Sequence, residues 1–152
     1  MTYEELLKEA DSVGLIVKEK PFQSGDGRIF KNRIAVRRNI PTQKEKSCIL
    51  AEEIGHYYTT AGDILDQSSI NNRKQESIAR TWAYNKMIGL TGIINSYEHG
   101  CRSKHEISEY LGVPERFLNE ALERYRQKYG ERVTIGNYII SFEPILIVNK
   151  IG

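Results

Sequence analysis

Cys48-Ile49-Leu50-Ala51-Glu52-Glu53-Ile54-Gly55-His56 is one residue away from the helix signature H-E-x-x-H, with Glu52 standing where that signature has its first histidine. In the full signature the two histidines lie one turn apart on one helix face. Both therefore reach one Zn²⁺, while the glutamate acts on a water polarised by the metal. The pattern here is E-E-x-x-H. A carboxylate oxygen is an accepted zinc ligand, so the change alters the charge of such a site without abolishing it. Cys48, Ile49, Leu50, Ala51 and Ile54 make this a largely buried helix, and charges on a buried helix demand partners.

Outward from this stretch, Pro41-Thr42-Gln43-Lys44-Glu45 has capping-box spacing, which starts the motif helix near Gln43, and Gly62 and Asp63 are expected to end it. Asn71 or Asn72 can cap a second helix whose apolar face runs through Ile78, Ala79, Trp82, Ala83 and Met87. Glu76 falls in its first turns, near the side that packs on the motif helix, and is the natural candidate for a third ligand. Glu52, His56 and Glu76 plus a water would complete a four-coordinate site, with Glu53 as general base. Two carboxylate ligands neutralise the formal charge of Zn²⁺, which predicts a less acidic water, slower hydrolysis at neutral pH, or a preference for the harder Mn²⁺. The plain alternatives are a solvated acidic face for the motif and, for Glu76, a first-turn acid complementing the helix dipole.

The flanks read as α+β. Thr2-Tyr3-Glu4-Glu5 caps a first helix with Leu6, Leu7 and Ala10 on its apolar side and Gly14 as its stop. A short strand over Leu15 to Lys18 follows, then a hairpin of Arg28-Ile29-Phe30 and Arg33-Ile34-Ala35-Val36 turning at Asn32. Beyond the middle helices, Ser103 begins a helix ending at Gly112, and Val113-Pro114 begins another that ends at Gly130. Val133-Thr134-Ile135 and Tyr138-Ile139-Ile140 form a β-hairpin around Gly136-Asn137, followed by the apolar run Ile145 to Val148. The expected organisation is one domain over residues 1–152. Residues 1–40 give a helix and small sheet, 41–100 the metal-site helices, 101–130 a helical hairpin and 131–152 the terminal β-hairpin.

Composition narrows the function. At 152 residues and a formal charge of +2, with acids and bases mixed, the chain makes no electrostatic case for a dedicated nucleic-acid binder. No apolar run can span a bilayer, and the N-terminus opens as a soluble helix. Cys48 and Cys101 suit reduced thiols of the cytoplasm better than a disulfide framework. Three other features need a reading. His105-Glu106-Ile107-Ser108-Glu109 is a second H-E string, but its histidine and first glutamate are expected to face solvent. Tyr57, Tyr58 and Tyr84 could donate to a tetrahedral intermediate, though packing is the commoner role. Glu106 to Leu118 looks like a helix-turn-helix, yet Glu115, Glu120 and Glu123 offset Arg116, Arg124 and Arg126 on the would-be recognition helix, which argues against DNA binding.

Taken in order, the small sheet, the segment Ile49 to Tyr57 and the segment Gln75-Glu76-Ser77-Ile78-Ala79-Arg80-Thr81-Trp82-Ala83 resemble the ImmA/IrrE family of small zincin-like metallopeptidases, over roughly residues 1–129. The resemblance implies a small α+β zincin-like fold with Glu53 as the catalytic glutamate, and His56 and Glu76 as ligands. It also implies a cytoplasmic zinc-dependent endopeptidase of prophage or mobile-element regulation that cuts a helix-turn-helix repressor. Position 52, a histidine in the family pattern, departs from it. The rival expectation is a pseudopeptidase that binds its regulatory partner without cutting it.

Overall fold

The computed structural model describes residues 1–59 and 69–152, without the side chains of residues 69–71. The expected end of the motif helix at Gly62 and Asp63 lies outside the described residues. The described chain contains six helices and two three-stranded sheets, an α+β arrangement, and divides into two compact units, Met1–Met87 and Ile88–Gly152. Among the described residues no helix is long and apolar enough to cross a membrane.

The first unit opens with α1 (Tyr3–Ser12), held by the expected capping box, in which the Glu5 amide donates to the Thr2 hydroxyl at 3.1 Å. Its buried side is Tyr3, Leu6 and Ala10, with Leu7 only half buried. Strands β1 (Ile16–Lys20), β2 (Gly27–Phe30) and β3 (Arg33–Arg37) follow. The expected hairpin is present, turning at Lys31-Asn32, where Lys31 takes a left-handed φ of 55°. What the strand pattern did not reveal is that β1 pairs in parallel with β3, giving the order β1-β3-β2 and leaving β2 at an edge. Ile34 and Val36 of β3 point inward and are buried, while Arg33, Ala35 and Arg37 alternate to the outer face.

Two long helices complete this unit, α2 (Gln43–Thr59) and α3 (Ser69–Met87). Thr42 caps α2, its hydroxyl accepting from the Glu45 amide at 3.1 Å. Helix α3 begins at Ser69, ahead of the cap expected at Asn71 or Asn72. The buried positions of α2 include Ser47, Cys48, Leu50, Ala51, Ile54 and Gly55, a three-and-four spacing that makes one stripe. Leu50 at 0% and Ile54 at 2% exposure are each worth roughly 1.5–3 kcal/mol of transfer free energy. The apolar stripe of α3 is narrower than its sequence suggests. Ala79, Ala83, Tyr84 and Met87 are buried, but Ile78 is 49% exposed.

The second unit holds α4 (Gly89–His99), α5 (Lys104–Leu111), α6 (Glu115–Tyr129) and the strands β4 (Arg132–Ile135), β5 (Tyr138–Ser141) and β6 (Ile147–Lys150). A separate α4 was not foreseen. The break before it rests on Gly89, which takes φ +65° and whose amide donates to the Tyr125 hydroxyl at 3.2 Å. Helices α5 and α6 appear as expected, joined through Gly112 at φ +71°. The terminal hairpin is extended by β6 into the order β4-β5-β6, so the apolar run from Ile145 ends as an edge strand, with Ile145 and Ile147 exposed.

Candidate metal centre

Two glycines set the geometry of the acidic cluster. A Cβ on Gly55 of α2 would lie 2.7 Å from the Ala79 carbonyl oxygen and 3.2 Å from the Trp82 ring, so α2 and α3 meet backbone to backbone at this point. Glu76 is three residues before Ala79, and His56 is next to Gly55. The close crossing therefore brings them together. His56 Nε2 and Glu76 Oε1 are 3.0 Å apart. On the other side of α2, a Cβ on Gly27 of β2 would lie 2.9 Å from Ile49 Cγ2 and 3.0 Å from Glu53 Cγ, so the edge strand presses on the catalytic candidate. Glycine inside a helix costs about 1 kcal/mol relative to alanine, and here the close approach is its reason.

The helices cross so that two rungs form. One is His56 with Glu76. The other, one turn away on each helix, is Glu52 with Arg80, whose Nε donates to Glu52 Oε1 at 2.9 Å. Glu53 lies beside both. Burial pushes its carboxyl up, with further contributions from the charges of Glu52 and Glu76, to a pKa of about 8. Without a cation its proton is therefore held well above the ordinary carboxylate range. The His56 side chain is 10% exposed, and among the described residues its Nδ1 has no hydrogen-bond partner.

Of the four residues singled out in the sequence, His56 and Glu76 are in direct contact, and Glu53 shares their electrostatic field. Glu52 faces Arg80 instead. Among the described residues no group of three histidine, cysteine, aspartate or glutamate side chains is already arranged around one point. The donor chemistry nevertheless suits a divalent cation at the first rung. An imidazole nitrogen and a carboxylate oxygen converge, and the neighbouring carboxylates carry a repulsion that a cation would relieve. Arg80, Gly27 and Gly55 were missed in the sequence. A glycine in an otherwise helical or strand-like run was the signal for the last two, whereas a lone arginine on a helix gives none.

The other candidates fall elsewhere. Tyr84 is buried packing. Tyr57 and Tyr58 are exposed, and Tyr58 stacks on Trp82 with ring centroids 5.4 Å apart. His105 is exposed, as expected, and Cys48 and Cys101 are buried thiols.

Comparison with known proteins bears on the same residues. The family model for the IrrE N-terminal-like domain, Peptidase_M78, matches residues 10–123, three quarters of the chain, including every member of the cluster. No curated protein and no solved structure matches.

Proposed function

This chain belongs to the IrrE N-terminal-like peptidase family, and from that premise we propose that it is a metal-dependent endopeptidase of prophage or mobile-element regulation, cytoplasmic, whose substrate is a helix-turn-helix repressor. The family itself supports a metallopeptidase role and a protein substrate. The observation that carries the finer reading is the approach of His56 Nε2 to Glu76 Oε1 across α2 and α3 beside Glu53, whose carboxyl pKa is raised to about 8.

In this reading Glu52, His56 and Glu76 would hold the ion, zinc or the harder manganese. Bound there, it would supply Lewis-acid chemistry for peptide hydrolysis. Glu53 is the proton carrier: its carboxylate accepts a proton as the nucleophile forms and returns it to the leaving amine. A cation beside it offsets the charges of Glu52 and Glu76, which lowers its pKa from the metal-free value toward the range a base needs. Gly27 lets β2 lie against Glu53 and so withdraws part of its side chain from water. Protein purified without chelator should carry close to one divalent ion per chain, and His56→Ala should lose it. The same preparation should cut a helix-turn-helix repressor encoded beside it. No metal after zinc addition, with no thermal shift, would overturn the metal site.

A second reading is favoured by the Glu52–Arg80 ion pair, which gives the cluster a tethered cation of its own. The protein would then bind its regulatory partner on a peptidase scaffold without cutting it. Arg80→Gln separates the two. If the chain is a peptidase, releasing Glu52 tightens metal binding. If the scaffold is metal-free, neither the wild type nor this variant takes up metal, and repressor binding persists without cleavage.

A further inference from the structure

The outer face of the first sheet has a composition that the acidic cluster does not use. Register places its side chains in rows. Ile16, Arg33 and Phe30 form one row across β1, β3 and β2, and Lys18, Ala35 and Arg28 form the next. Ala35, the smallest member, is the floor of a groove of about 340 Å³ flanked by Lys18 and Arg28. Phe30 is 62% and Ile16 44% exposed at its two sides. No acidic side chain lines it. Arg37, farther along the same face, is neutralised by Asp26 at 2.9 Å, whereas among the described residues no carboxylate pairs with Lys18, Lys20 or Arg33.

A chain with a formal charge of only +2 thus gathers cations around one apolar-rimmed concavity. Unpaired like charges at this spacing repel one another and are relieved by an anionic ligand. We propose that the outer face of the β1-β3-β2 sheet is a docking site for an acidic, apolar-containing segment of the protein partner. The apolar rim decides against nucleic acid. A phosphate backbone needs a cationic track, and single strands need several aromatic platforms. Here Phe30 is the one exposed aromatic among these strands, and aliphatic Ile16 has no role in stacking. A peptide alternating acids with leucine-like residues uses both halves of the surface. The site is also within a strand's width of the cluster. On β2, Gly27 faces Glu53 while Arg28 and Phe30 face outward, so a partner held here passes the edge that borders Glu53.

The inference rests on the reading that this chain engages a protein, but not on metal or catalysis, and its test uses neither. A fluorescein-labelled peptide of alternating glutamate and leucine is titrated against the full chain by anisotropy, beside a lysine–leucine peptide and an oligothymidylate. Expected are saturable, salt-sensitive binding of the acidic peptide and a Kd raised about tenfold or more in Arg28→Glu/Arg33→Glu. Arg33→Lys should stay close to wild type, and Phe30→Ala should weaken binding at unchanged salt dependence. Thermal melts identify any variant that fails to fold, in which case the milder Lys18→Gln/Arg33→Gln pair decides. Equal binding by wild type and charge variants overturns the proposal. So does tighter binding of the oligothymidylate, or self-association that the charge variants abolish, since these assign the face to nucleic acid or to a second copy. Loss of repressor cleavage in Glu53→Gln with peptide binding intact would test the catalytic reading separately.

Discussion

Helix α2 and helix α5 each carry a histidine among glutamates at helical spacing, and their surroundings differ in every respect that matters to chemistry. His56 on α2 has a side chain only 10% exposed and meets Glu76 of the neighbouring helix at 3.0 Å. His105 on α5 has a side chain 72% exposed and only a 3.9 Å approach to Glu115. Glu53 is pressed between an edge strand and two other carboxylates, and its pKa rises to about 8. Glu106 instead accepts from the Arg102 amide at 3.3 Å and closes the cap at Ser103, an ordinary helix-start task. The strings look alike, but convergence from a second element turns one of them into a candidate site.

The largest expected effect follows from that contrast. Glu53→Gln keeps the shape and the metal ligands but cannot carry a proton. Proteolysis of the repressor should fall by about two to four orders of magnitude at unchanged metal content. The matching change on α5, Glu106→Gln, should leave turnover untouched. Equal loss in both variants would break the comparison, because it would mean that activity tracks helix stability. Turnover by gel and mass spectrometry, with metal content by elemental analysis, reads both arms.

The second effect is on stability against pH, measured on chelator-treated protein. Glu53 has a folded pKa of about 8 against an ordinary 4.5, so the native state holds its proton more tightly than the unfolded chain. Its contribution is fully present below the ordinary value and is lost as pH rises through about 8. Between pH 5 and pH 9 the wild type should lose on the order of a few kcal/mol, since each pKa unit is worth about 1.4 kcal/mol. Glu53→Gln should flatten this slope. A wild-type curve that rises across the window would contradict the burial of Glu53.

Much of this architecture was legible because it is local. The Thr2 and Thr42 caps, the Lys31-Asn32 turn, the Gly112 joint and the Gly136-Asn137 hairpin each follow from residues within a few positions of one another. Glu52, Glu53, His56 and Glu76 could be named for the same reason, by their spacing on two helices. What stayed hidden depends on how distant elements pack. The parallel β1–β3 pairing, the Glu52–Arg80 rung and the pressure of β2 on Glu53 have no signature within a window of sequence. The third effect probes that nonlocal part. Gly55→Ala gains roughly 1 kcal/mol of helix propensity, but its methyl would sit 2.7 Å from a backbone oxygen that cannot rotate away. Overpacking of this kind costs about 1–3 kcal/mol, so a net loss of stability is expected, with weaker metal binding as His56 and Glu76 are wedged apart. Denaturant melts with and without zinc check it, and a stabilised variant would show that the helices do not cross so closely.

The smallest effect belongs to the other helix. His105→Gln removes the one residue that makes the α5 string look like a ligand motif. Its ring is mostly in water, its approach to Glu115 exceeds hydrogen-bond length, and an ion pair that exposed contributes little. Stability should therefore change by less than about 0.5 kcal/mol. Metal content should not change at all, whereas His56→Ala should empty the site. The two histidines thus form a matched pair in one elemental analysis. A fall in metal on removing His105 would mean that the ion is bound away from α2, and the contrast between the two strings would have to be reversed.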